Sequence, residues 1–146
     1  MCEEHSPYSP SHQSRVKGEL PYRRMDISTI ERVISECSQY GLKEIIPSTM
    51  GEPLIFKHMP RIIALCHEYD VKLNLTTNGT FPRLGAERWA RLIVPIGSDV
   101  KLSWNGANQI AQSLVMINND FEKNMEDLRT FIRIRDEHAD LGLSLI

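Results

Sequence analysis

The 146 residues carry seventeen Lys and Arg against nineteen Asp and Glu, a formal net charge of −2, with 41% hydrophobic and 25% charged side chains. That is the composition of one ordinary globular domain, long enough to bury a core. A chain so near neutrality has no global field to gather nucleic acid or to coat an anionic membrane. Its longest apolar runs, such as Leu92 to Ile96, fall far short of the roughly 20 residues a membrane helix needs. The opening residues MCEEHSPYSP are acidic and rich in Pro and Ser, without the apolar stretch of a secretory signal. Cys2, Cys37 and Cys66 are odd in number and widely spaced, which is no disulfide framework. The natural setting is a reducing cytoplasm.

Residues 3 to 24 read as a loop, with Ser6, Pro7, Pro10, Ser11, Ser14, Gly18 and Pro21 and no apolar period. Arg15, Lys17, Arg23 and Arg24 make it locally basic, either a solvated face or a contact for an acidic group. Ser28 and Glu31 then have capping-box spacing, and Ile27, Ile30, Ile34 and Cys37 share one face of the predicted helix, which Gly41 closes. A short strand is expected at Lys43 to Pro47. The next helix runs from about Pro60, with Ile62, Ile63, Cys66 and Tyr69 on its inner side. Cys37 and Cys66, on apolar faces, are expected as small buried hydrophobes. A strand at Val71 to Leu75, a short helix at Ala86 to Ile93 and a strand at Val100 to Trp104 follow. Helical stretches come near Asn108 to Met116 and Asp120 to Glu137. In the longer one Asp120 stands as N-cap, and Phe121, Met125, Leu128 and Ile132 recur at helical spacing. Leu141 to Ile146 reads as the beginning of a further strand.

The strand starts at Lys43, Val71 and about Asp99 lie 28 residues apart each time. That is the length of one strand-plus-helix unit, and its repetition predicts an α/β fold with a parallel sheet. Helices are expected on both faces of such a sheet. A complete eight-unit barrel takes about 250 residues. Three units and a fourth strand make about half of one, so the chain is either a small open sheet or a partial (βα) barrel. The finish at a strand favours the partial barrel.

In parallel α/β architectures, functional groups collect on the loops at the C-terminal ends of strands. Three such loops here are STMGEPL (Ser48 to Leu54), LTTNGT (Leu75 to Thr80) and LSWNGA (Leu102 to Ala107). Each sets a glycine beside a polar side chain: Gly51 with Glu52, Gly79 with Asn78, Gly106 with Asn105. For any single loop, Gly and Asn are sufficiently explained as turn formers. Three at matched positions point instead to one concave polar site. Glu52 is the most informative, because a carboxylate between a strand and Pro53 has no helix-face explanation. Cys2 lies in a loop with no core to enter. With His5 alone it would make a poor zinc site, since no second ligand pair has suitable spacing. Trp104 is a candidate for barrel lining.

These residues resemble a known family, the radical S-adenosylmethionine (radical SAM) enzymes. The opening Met1-Cys2 resembles the end of the family's C-x-x-x-C-x-x-C loop, where a methionine commonly precedes the last cysteine. STMGEPL resembles the G-G-E-P loop of the second barrel strand, with Met50 in place of the first glycine. LTTNGT resembles the third-strand T-N-G segment, and LSWNGA the fourth-strand S-x-D/N-G segment. Asp120 to Glu137 is similar to the following helix in the subfamily that often carries a C-terminal SPASM-type cluster domain.

The resemblance implies a [4Fe–4S] cluster held by three cysteines, and SAM cleaved by a cluster electron to methionine and a 5′-deoxyadenosyl radical. It makes Cys2 a cluster ligand and places Gly51 and Glu52 at the aminoacyl end of SAM. Asn78, Ser103 and Asn105 then lie near its ribose and adenine. It implies an electron donor such as a flavodoxin or ferredoxin, with no nucleic-acid and no membrane partner. Residues 1–24 become a cluster-loop remnant and 25–146 a partial core. The first two cluster cysteines and the first strand are missing from this pattern. The expectation is therefore a fragment of an enzyme truncated at both ends, with no catalytic residue assigned. The alternative is a non-catalytic α/β fragment that keeps residual SAM binding or an interaction role.

Overall fold

The computed structural model describes residues 8–21, 24–47, 51–116 and 120–140. Its elements in chain order are α1 (Pro10–Val16), α2 (Ile27–Ser38), β1 (Glu44–Ile45), α3 (Met59–Glu68), β2 (Lys72–Thr77), α4 (Gly85–Ile93), β3 (Gly97–Leu102), α5 (Gln109–Ser113) and α6 (Phe121–Asp140). A single 3₁₀ turn, Pro53–Ile55, lies between β1 and α3. The three strands form one sheet in the order β1-β2-β3, both pairs parallel. The sheet is open: its consecutive parallel strands, each reached through a helical crossover, make part of a (βα) barrel.

Among the described residues helices cover one face of this sheet, where two covered faces were expected. Crossovers of the same hand between strands laid down in sequence order return their helices to the same side. The sequence of β2, KLNLTT, carries the signal. Leu73, Leu75 and Thr77 are buried, while Lys72 and Asn74 are half-buried and Thr76 is exposed. A strand buried on both faces would instead be apolar throughout. The core joins Leu73 and Leu75 to Ile34, Ile62, Ile63, Cys66, Trp89, Ile93, Phe131 and Ile134 from the helices. On the opposite face Asn74 donates to Glu44 (3.3 Å) and accepts from the Lys101 ammonium (2.9 Å). Lys101 also pairs with Asp99 at 2.5 Å, and the Ser98 hydroxyl donates to Glu44. Ser98 is the extra residue of an irregularity in β3, where Gly97 faces Leu73 and Asp99 faces Asn74.

Three further details depart from expectation. The segment 3–24 contains α1, which starts because Ser9 accepts the His12 amide (3.4 Å) and Pro10 occupies the first turn. On α6 the expected stripe holds at Phe121, which is buried, and at Met125 and Leu128, which are half-buried, but Ile132 is exposed and the core takes Phe131 and Ile134 in its place. Cys37 is exposed near the end of α2, while Cys66 is buried. Only Ile34 of α2 is fully buried, so the stripe runs on past the part of the helix that meets the core.

The cap of α2 is Asp26 rather than Ser28. Its Oδ1 accepts both the Ser28 amide (2.8 Å) and the Ser28 hydroxyl (2.7 Å). Gly41 ends the helix in a Schellman arrangement, with Leu42 N–H donating to Cys37 C=O and Gly41 N–H to Ser38 C=O, both at 3.1 Å. The two Ser28 bonds hold the Asp26 carboxyl below its ordinary value of 3.8. A lowered folded-state pKa contributes stability that is present above the unfolded value and lost as pH falls through the folded one. Asp26→Ala should therefore lower Tm at pH 7, and the gap from wild type should close below pH 3.8, as thermal melts across pH will register.

Candidate functional site

The sequence STMGEPL leaves β1 through the 3₁₀ turn, and Glu52 is the N-cap of that turn. Its Oε1 accepts the Leu54 amide at 3.0 Å. The same oxygen accepts the Thr77 hydroxyl (2.9 Å), and Oε2 accepts the Asn78 amide (2.6 Å) from the end of β2. Glu52 is half-buried, and Thr77 is only 2% exposed. A carboxylate offers about four lone-pair positions. Donors of the described residues take three of them. Glu52 therefore has a structural explanation that periodicity did not supply: it fastens the first loop to the second.

The second loop is fastened in turn to the third. Thr77 C=O accepts the Ser103 amide at 2.8 Å. Asn78 Oδ1 accepts the Thr80 amide (3.0 Å) and hydroxyl (2.8 Å), a local turn that spends its carbonyl and leaves its amide group as a donor. In the third loop, Asn105 N–H donates to the side-chain oxygen of Gln112 on α5 (3.1 Å), and Gln112 is wholly buried. Gly106 is required there by close approach: a Cβ would lie 2.5 Å from the Gln112 nitrogen and 2.7 Å from the Ala111 carbonyl carbon, both backbone. Gly51, at φ 82°, is required by its left-handed backbone.

The structure thus joins Glu52 directly to Asn78, and reaches Ser103 through the backbone of Thr77. Ser103 and Asn105 are exposed at the same end of the sheet, and Gly51 is exposed beside Glu52. Trp104 packs edge-to-face on Phe121, ring centroids 5.4 Å apart. Cys2 and Ser48 to Met50 lie outside the described residues. The sequence reading missed Thr77, Gln112 and Arg83, whose Nη2 donates to Leu54 C=O at 2.7 Å. A cavity of about 190 Å³ lined by Arg91, Val94, Ile134 and Glu137 lies at the C-terminal ends of α4 and α6, the opposite end of the βα units from these loops.

The profile of the radical SAM superfamily matches residues 2–136. The chain belongs to the radical SAM superfamily. It is 43% identical over 58 residues to the "Probable GTP 3′,8-cyclase" of Pyrococcus abyssi (strain GE5 / Orsay), a stretch covering 40% of this chain and 19% of that protein. To the "Probable GTP 3′,8-cyclase" of Pyrococcus horikoshii it is 40% identical over 73 residues, 49% of this chain and 23% of the relative. The match spans less than a quarter of either curated relative.

The radical SAM family implies an iron–sulfur cluster, and the described residues do not fit one. Among them no three His, Cys, Asp or Glu converge as metal ligands. Cys66 packs in the core on α3, where burial pushes its thiol up to about 11, and Cys37 sits on α2 in the helical layer. A cluster needs thiolates. SAM is a different matter, because its ammonium and hydroxyls need acceptors and donors of the kind the three loops present. No helix of the described residues is long and apolar enough to cross a membrane.

Two outcomes follow from this geometry. With a thiol reagent near neutral pH, Cys37 should react in the folded chain while Cys66 reacts only on unfolding, as peptide mapping of labelled protein will show. Glu52→Gln replaces one acceptor oxygen with a donor that faces either Asn78 N–H or the Leu54 and Thr77 donors. Thermal or urea unfolding should show a loss of about 1–3 kcal/mol.

Proposed function

We propose that the three strand-end loops bind SAM for radical chemistry. Glu52, with its remaining lone pair, accepts from the ammonium of SAM beside the Gly51 backbone. Asn78, Ser103 and Asn105 meet the ribose and adenine. The observation that carries the reading is the convergence on Glu52 of donors from two separate loops, which fixes its carboxylate in direction and, among the described residues, leaves one lone-pair position untaken. Cys2 is the cluster ligand in this reading, and Cys37 and Cys66, the other two cysteines of the sequence, sit in the helical layer away from the three loops. A [4Fe–4S] cluster would supply the electron for reductive cleavage of SAM, and a flavodoxin or ferredoxin is the donor class it would call for. From the names of the two relatives we take GTP as the first substrate to test.

The cysteine count favours a second reading, because with Cys37 on α2 and Cys66 in the core only Cys2 is left near a cluster position: the 146 residues bind SAM and do not themselves run the reaction. Anaerobic titration calorimetry with SAM, on protein assayed for iron and sulfide, separates the two. Saturable binding with stoichiometric iron supports the enzyme reading, and saturable binding without iron supports the second. In either case Glu52→Gln, measured well below its melting temperature, should weaken binding by about tenfold or more, since a hydrogen bond to a charged group is removed. A wild-type chain giving no SAM binding overturns both.

A further inference from the structure

Arg83 takes a conformation that its residue type does not favour. It lies at φ 67°, and Phe81, two residues before it, at φ 41°. Left-handed backbone is costly for residues other than glycine, and it persists only where the surroundings over-determine it. Here three contacts do so. Phe81 is 2% exposed and its ring stacks on Phe131, centroids 5.5 Å apart. Between the two strained residues, Pro82 C=O accepts the Trp89 indole N–H at 2.7 Å. The third contact is the only one of these that leaves the segment for the Glu52 loop: Arg83 Nη2 to Leu54 C=O.

Leu54 is the residue through which this contact reaches the site. Its side chain is fully buried. Its N–H is bound by Glu52 Oε1 at 3.0 Å and its C=O by Arg83 at 2.7 Å, so one residue is gripped from both ends. The guanidinium bond is charge-assisted and stronger than a neutral one. Resting on the reading of these loops as a SAM cradle, we propose that Arg83 is a positioning residue: its left-handed backbone aims the guanidinium at Leu54 C=O, and the 3₁₀ turn so fixed sets the direction of the Glu52 carboxylate. Arg83 touches no reacting group and acts through Leu54.

Hydrogen exchange on the full chain reads this without any cofactor. Arg83→Ala and Arg83→Gly should each speed exchange at the Leu54, Ile55, Phe56 and Asn78 amides by about tenfold, leaving β2 and α4 protected. Arg83→Lys should recover part of the protection. Arg83→Gly also relieves the left-handed strain, so its Tm should match or exceed that of Arg83→Ala while its loop stays loose. A merely structural arginine would move both together. Titration with SAM should show about a tenfold weaker Kd for Arg83→Ala. Unchanged loop exchange in Arg83→Gly overturns the clamp whatever SAM does. Faster exchange with an unchanged SAM Kd overturns its link to binding. A wild-type chain silent to SAM overturns the reading of the loops, and the exchange data then decide the clamp on their own.

Discussion

The site depends on one carboxylate accepting three hydrogen bonds. Glu52 caps its own turn through Leu54 and reaches across to Thr77 and Asn78, so residues about 25 apart in sequence share two oxygen atoms. A charged acceptor that is half out of water gains from each donor and suffers when one is removed, so the three bonds support one another. Two loops with glycines and few buried apolar side chains of their own acquire in this way a single arrangement. Thr77 C=O hands the constraint on to Ser103, and Gln112 fixes the loop beyond.

The fold brings these loops together by simple means. Each strand carries its apolar residues on one side, where α3, α4 and α6 cover them, and each crossover returns the chain to the same end of the sheet. The strand ends therefore line up in sequence order, and their loops become neighbours with no long-range insertion. This accounts for a site assembled from three short segments of similar composition. It also accounts for the helical layer taking Cys37 and Cys66, away from the strand ends.

Much of this was legible in the sequence. The 28-residue spacing of strand starts gave the parallel βα repeat, because a strand, a helix and two tight loops use up about that length. Glu52, Asn78 and Asn105 were singled out by position and residue type and Ser103 by the family resemblance, and the fold sets all four at one end of the sheet. What periodicity could not reach was which part of a stripe meets a partner. Cys37 lies on the apolar face of α2 yet is exposed, and on α6 the core takes Phe131 and Ile134 rather than Ile132. The short α1 has too few turns for a stripe, and only Ser9 before Pro10 announces it. Thr77, Arg83 and Gln112 were invisible for another reason. Their roles are bonds to Glu52, Leu54 and Asn105, and a side chain's distant partner leaves no mark in its own neighbourhood of sequence.

The polar face of the sheet, which no helix of the described residues covers, has a bearing on how the strands find their alignment. Glu44, Asn74, Ser98, Asp99 and Lys101 form a polar web across all three strands. A slip of one residue would carry Leu73 and Leu75 into that web and push Asn74 toward Trp89 and Ile93. Misalignment is thus penalised twice, by apolar groups gaining water and by polar groups losing their partners. β1 spans only two residues and has little backbone pairing with which to choose its place. Glu44, reaching over Asn74 to Ser98, works as a key cut on the wet side of the sheet for a lock otherwise set from the dry side.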